Sequence, residues 1–111
     1  TYNYAYNRTL DGGTTGAAGS GSAAQIILAT AVGSAATEGY AGEVRLFNQA
    51  SAARWSRVLF SGYNIDNVAT PGGNLVVGGG AQETAQDTDA VRFLFSTGNI
   101  ASGSWALHGL R

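Results

Sequence analysis

The sequence predicts an all-β fold: an antiparallel β-sandwich or jelly roll of six or seven short strands, in a single domain over residues 1–111. Seventeen glycines and one proline divide the 111 residues into short apolar runs, and this punctuation is typical of strands joined by turns. Within several runs large side chains alternate with small or polar ones, which is the side-chain period of a strand. The length allows one domain with a modest core.

The first third of the chain predicts two strands separated by a loop. Tyr2, Tyr4 and Tyr6 alternate with smaller residues, so their rings should share one face of the first strand. Residues 11–24 are rich in Gly and Ser and predict a flexible loop. Residues 25–32 are mostly apolar and predict a strand. A helix is the alternative because of their alanines, but the bracketing glycines leave little room for a stable one.

The middle third predicts two more strands with clear alternation. Residues 43–48 set Val44 and Leu46 against Arg45 and Phe47. Residues 54–63 form the longest strand candidate, and here the predicted faces are Trp55, Arg57 and Leu59 on one side and Ser56, Val58 and Phe60 on the other. Three segments connect the strands. Residues 33–42 are predicted as a turn region, and the alanines of residues 49–53 could form one helical turn. Residues 65–73 are predicted as a loop with its turn at Pro71-Gly72.

The last third predicts a short strand and a closing hairpin. Residues 74–77 form the short strand, residues 78–80 (Gly-Gly-Gly) a flexible turn, and residues 81–89 a solvated acidic loop. The hairpin pairs residues 91–95 with residues 104–110.

Low charge limits the functions open to the chain. The net charge is −1, only 12% of residues are charged, and lysine is absent. Nucleic-acid binding needs a basic patch and membrane-surface binding by a basic helix needs one too, so neither is expected. A surface so poor in charge gives little repulsion between copies and predicts contact with neighbouring chains. The alternative is a monomer covered by uncharged polar residues.

Cysteine and methionine are both absent. Disulfides, thiolate chemistry and thiol–zinc sites are therefore excluded. Because residue 1 is not methionine, we expect the domain to be a processed chain or the C-terminal part of a longer one. No run reaches the roughly 18 apolar residues of a membrane span, and no signal peptide is visible, so no membrane insertion is expected.

The chemistry-bearing residues predict no enzyme, no catalytic residue, no metal site and no cofactor. A Ser–His–Asp arrangement would have to use His108, the single histidine, yet no nucleophile-elbow motif precedes it. No acid spacing matches a calcium loop, and the Gly-Gly-Gly run lacks the lysine of a phosphate loop. We interpret the acids as solvated loop charge; those considered are Asp66, Glu83, Asp87 and Asp89.

Flat rings make binding the more promising hypothesis. Tyrosine and tryptophan stack on sugars and anchor protein interfaces, and asparagines near them could bind hydroxyls. The candidate ligand-binding residues are Tyr2, Tyr4, Tyr6, Tyr40, Trp55 and Tyr63. The alternative is that most of these rings are core or intersubunit packing.

Residues 90–110, AVRFLFSTGNIASGSWALHGL, resemble the C-terminal signature of tailed-bacteriophage structural proteins of the tail-fibre and head-fibre type. In that family an "IRFLFSSGNIASG" hairpin precedes a strand with an aromatic-Gly-apolar ending. Here His108 stands where the family has tyrosine. Residues 39–58 are similar to the family's middle strands, and together the two segments cover a little under half the chain.

The resemblance implies a non-enzymatic virion protein, assembled in the host cytoplasm and then extracellular. Its implied partners are other virion proteins and further copies of itself, as a homotrimer, and its implied role is receptor binding to a host-surface polysaccharide. The alternative is a capsid decoration or tail-lattice protein with a purely architectural role. A small glycan-acting enzyme, or the binding domain of one, is a third reading. No functional residue is transferred by the resemblance.

Overall fold

A computed structural model of the chain describes residues 1–11, 13, 15–66 and 72–109. These residues form one antiparallel sheet with the strand order β2-β1-β5-β4-β3. The described residues contain no helix, so the all-β prediction is confirmed. The strands are β1 Tyr2–Leu10, β2 Thr15–Ala23, β3 Gly39–Phe47, β4 Trp55–Ile65 and β5 Gly73–Ala85.

Residues 24–38 connect the two edges of the sheet across one of its faces. They leave β2 at one edge and enter β3 at the other, and Ile26 and Leu28 pack against the core on the way. The amide nitrogen of Gly33 then donates to the Ile65 carbonyl oxygen at 3.0 Å. We call the side under residues 24–38 the covered face and the opposite side the open face.

The hydrophobic core lies on the covered face. Alternation along β4 decides which side chains reach it, because neighbouring strand residues point to opposite faces: Phe60 is 3% exposed, whereas Leu59 is 55% exposed. Among the residues that the structure describes, three apolar side chains are buried, so the core is small. They are Val58, Phe60 and Val76, with Tyr6, Ile26, Leu28 and Val44 packed around them.

Glycine in β5 allows the large core side chains to meet over the centre of the sheet. Gly78 pairs with Phe60 on β4 and with Tyr6 on β1. A Cβ at Gly78 would lie 2.5 Å from the Phe60 ring and 2.6 Å from the Tyr6 Cβ. Glycine is therefore required here for close approach.

Several predictions about local structure were wrong. Residues 39–42 and 81–85, predicted as turn and loop, belong to strands β3 and β5. Residues 11–24 do not form one loop, because Thr15–Ala23 is strand β2. Residues 78–80 are not a turn but lie inside β5, which is thirteen residues long. Residues 25–32 are not a strand; within them only Val32 bridges, to Asp66. In each case sheet pairing or face coverage overrides the local composition, since strand preference depends on what a segment packs against.

The described residues form five strands in one sheet, rather than the six or seven strands of a sandwich. The hairpin predicted from residues 91–95 and 104–110 is not seen: no strand occurs in residues 86–109, and residues 110 and 111 lie outside the described residues. Those residues have strand-like alternation, but they pair with neither edge of the sheet. The turn predicted at Pro71 also lies outside the described residues. The strand predicted over residues 54–63 is confirmed as β4 with the predicted faces.

Candidate binding surfaces

The six candidate ligand-binding rings do not form one surface. Paired residues in neighbouring strands share a face, so the register places each ring. The tyrosines Tyr2, Tyr4 and Tyr6 lie on the covered face with Tyr40, whereas Trp55 and Tyr63 lie on the open face. The structure thus divides the predicted set into a half-buried group and an exposed group.

The tyrosine stripe of β1 is confirmed as a row on one face, and its rings are half-buried. Tyr4 and Tyr6 stack with their planes 3° apart and their ring centroids 6.2 Å apart. Tyr6 also packs against the core cluster. The three rings form a row at the β1–β2 side of the covered face, with Tyr2 at one end.

Tyr40 lies on the covered face at the edge strand β3, beside Gly42 and Gly62. Its hydroxyl oxygen is buried and has no hydrogen-bond partner among the described residues. Burial removes water from the phenolate form and raises the pKa of Tyr40 above its ordinary value. Added Cβ atoms at Gly42 and Gly62 would collide with this hydroxyl, so Tyr40 acts as a packing residue in this arrangement.

Trp55 and Tyr63 stand at opposite ends of β4 on the open face. They are eight residues apart, which separates them by roughly 27 Å at about 3.4 Å per strand residue. The Tyr63 hydroxyl donates to Asp11 Oδ1 at 3.5 Å, and Asp11 Oδ2 accepts from the Gly73 amide nitrogen at 2.8 Å. One small ligand therefore cannot contact both rings.

The open face carries more apolar surface than the six candidate rings suggest. Its large side chains are 43–55% exposed and have no layer of the described chain above them. Exposed apolar patches of this kind mark interaction sites. The alternation of residues 54–63 was visible in the sequence, but which face would be covered was not. The large open-face residues are Phe47, Trp55, Leu59, Tyr63, Leu75 and Val77.

The β1–β2 half of the open face is lined by small and uncharged residues. Ala5 pairs with Gly19 and Asn7 with Ala17. Between these residues and Val77 lies a shallow depression of about 450 Å³. The open face thus has a large-residue half on β4 and β5 and a small-residue half on β1 and β2.

Residues 89–109, which we call the arm, follow β5 along the chain and form no strand. Thr88 anchors their start: its amide nitrogen donates to the Gln49 carbonyl oxygen at 2.7 Å, and its hydroxyl lies 3.1 Å from Ser56 Oγ. Among the described residues, Thr88 is the last along the chain to make a hydrogen bond. Every described arm residue is exposed, and Trp105 is 88% exposed. His108 lies on the arm as well.

Several polar side chains outside these surfaces make hydrogen bonds within the fold. Asn64 and Asn74 pair across β4 and β5 and are buried, and Asn64 Nδ2 donates to the Thr30 carbonyl oxygen at 3.3 Å. Asp66 Oδ1 accepts a hydrogen bond from the Gly72 amide nitrogen at 3.0 Å. Glu83 Oε1 accepts a hydrogen bond from Asn3 Nδ2 at 3.4 Å. In residues 1–11, 13, 15–66 and 72–109 no group of three or more metal-ligating side chains occurs. No helix in the described part of the chain is long and apolar enough to cross a membrane.

Comparison of the chain with models of known protein families, with curated protein sequences and with solved structures finds no match.

Proposed function

We propose that this chain is a non-enzymatic structural module of a tailed-bacteriophage virion, of the fibre or spike type, that assembles with copies of itself. The observation that carries this proposal is the arm. Seven of its large apolar side chains are 41–88% exposed, and water-exposed apolar surface on this scale is typical of chains that are completed by a partner. The arm also contains most of the segment that resembles the phage signature.

The low charge supports the proposal of self-assembly. A net charge of −1 gives copies little reason to repel one another. We propose a trimer by analogy with fibre proteins, since contacts that repeat from one copy to the next form such a ring when the rotation between copies closes. Other virion proteins would bind the assembled module.

We further propose that the assembled module attaches to a host-surface polysaccharide through the tyrosine stripe. The row of half-buried tyrosine rings on β1 offers aromatic side chains of the kind on which a sugar ring packs. The stripe lies on the face opposite the open face, so binding and assembly would use different sides of the sheet. Weak sites repeated on each copy gain avidity because later binding events become intramolecular.

The alternative is a capsid decoration or tail-lattice protein without a glycan ligand. The half-burial of Tyr2, Tyr4 and Tyr6 and the packing position of Tyr40 favour it, because these rings then serve the fold and the interface. Its contacts would all be with other virion proteins.

Solution mass tests the assembly. Light scattering of the full chain at two concentrations tenfold apart should give a stable mass near three times the 11.3 kDa of one chain. A mass of 11.3 kDa at both concentrations would reject self-assembly.

A glycan array distinguishes the two roles of the assembled chain. Attachment predicts binding that is reduced at least tenfold in Tyr4→Ala and retained in Tyr4→Phe, which keeps the ring. An assembled chain that binds no glycan would support the architectural role instead.

A further inference from the structure

The chain carries two apolar surfaces that its own described residues leave uncovered, the arm and the open face. We infer that the arm of one copy packs on the small-residue half of the open face of a second copy, with its rings over the depression beside Ala17. This inference rests on the self-assembly proposed above and names the contact that forms it.

The arm is suited to another chain's surface. Its start is fixed by the hydrogen bonds of Thr88, while the described residues beyond it are exposed and unbonded. Its twenty-one residues (89–109) span up to about 70 Å when extended, at roughly 3.3 Å per residue. The longest dimension of the whole molecule is 47 Å. The arm is therefore long enough to reach across a neighbouring copy.

The small-residue half of the open face is suited to the arm's rings. Large side chains pack best opposite small ones, since facing layers must interdigitate. Ala5, Ala17 and Gly19 leave space above β1 and β2, and the depression of about 450 Å³ lies between them. The described open-face residues of β1 and β2 are uncharged. An aromatic ring packed on them therefore does not desolvate a charged side chain of these strands. The charged pair Arg45 and Glu43 lies at the far edge, on β3.

The surface available matches what a stable contact needs. Packed aromatic side chains bury roughly 150–250 Å² each, so the three rings and four aliphatic side chains of the arm, at 41–88% exposure, offer on the order of 700 Å². A stable interface buries about 800 Å² per partner. When each copy lends its arm to the next, the small-residue half of every open face is covered, and the copies form a ring if the rotation between neighbours closes.

Ala17→Arg tests the acceptor surface, and Ala18→Arg is its matched control. Both residues are exposed and adjacent on β2, but they point to opposite faces. The variant Ala17→Arg fills the depression and should raise the concentration for half-assembly at least tenfold. Ala18→Arg should leave the mass of the assembly unchanged. Circular dichroism of both variants shows whether the sheet is intact.

Trp105→Ala tests the arm without touching the sheet, and His108→Ala is its control. Trp105→Ala should weaken assembly at least tenfold and His108→Ala should not. In a Trp55→Phe background Trp105 is the single tryptophan, and its fluorescence should move to shorter wavelength as the chain assembles. The same shift should be lost in Ala17→Arg.

The outcomes separate the two claims. An assembly that forms equally well in Ala17→Arg, or in which Trp105 stays solvent-exposed, overturns this docking but leaves the proposed self-assembly standing. A wild-type chain that is monomeric at all concentrations overturns both. Loss of assembly in Ala17→Arg and Trp105→Ala, with both controls assembled, supports the inference.

Discussion

Tyr40 illustrates how single residues on the covered face are held. Its ring lies over Gly42 and Gly62, where a Cβ on either glycine would collide with it. Its hydroxyl is buried without a partner in the described part of the chain. A buried hydroxyl without a hydrogen bond costs about 1–3 kcal/mol, so the ring stabilises the fold while the hydroxyl opposes it.

Replacing Tyr40 with Phe should therefore raise the free energy of unfolding at pH 8 by about 1 kcal/mol, because the ring stays and the unpaired hydroxyl is removed. Burial also raises the folded-state pKa of Tyr40 above about 10, its unfolded value. Above pH 10 the unfolded chain loses this proton first, so wild-type stability falls as pH rises through the folded pKa. The Tyr40→Phe chain should not show this fall in stability, because it has no hydroxyl to titrate at position 40. Urea unfolding at pH 8 and pH 10.5 measures both effects, and equal pH slopes in the two chains would contradict the account.

At the scale of elements, residues 24–38 cover the apolar face of the sheet, as a second sheet does in a sandwich. Ile26 and Leu28 cover Val58, Phe60 and Val76, and the Thr30 carbonyl oxygen accepts from buried Asn64. An irregular segment can cover a face only if its own polar groups find partners. The contacts of Thr30 and Gly33 provide some of these partners.

The central strand β5 depends on glycine for its close contacts. Changing Gly78 to Ala should lower the free energy of unfolding by about 1–3 kcal/mol, since the added methyl group meets the Phe60 ring and forces the core apart. Gly21→Ala on the edge strand β2 is the control, because nothing lies within 4 Å of its added Cβ. Urea unfolding of the two variants gives the comparison. Equal effects at both positions would show that backbone freedom, rather than packing, explains the glycines.

At the scale of the molecule, the small core and the exposed apolar surface belong together. The three buried apolar side chains of the described residues form a small core, and small cores give domains of this size little stability. The proposed association would add burial that the single chain lacks, and it would stabilise only the folded state. Stability and assembly are therefore expected to be linked.

The apparent Tm of the wild-type chain should rise with protein concentration, because a folded assembly is favoured by mass action. Differential scanning calorimetry at concentrations a hundredfold apart measures this rise. The Trp105→Ala chain, which we expect to be less assembled, should show a smaller dependence over the same range. A wild-type Tm that does not change with concentration would contradict the expected link between stability and assembly.

Alternation and glycine content alone determined the all-β class, the strand β4 with its two faces, and the single row of β1 tyrosines. These features are local, because side-chain period and turn composition are properties of neighbouring residues. The sequence also predicted a closing hairpin from residues 91–95 and 104–110, which the described residues do not form. It could not show that this segment lies outside the sheet.

Only the tertiary structure decided which segments pair and which face is covered. Small residues of β2 form a strand because β1 supplies hydrogen-bond partners, and glycines 78–80 form a strand because two neighbours flank them. The candidate rings fell on opposite faces for the same reason: the face of a ring follows from register and from residues 24–38. Such pairings join residues far apart in the chain, and composition and periodicity carry no record of them.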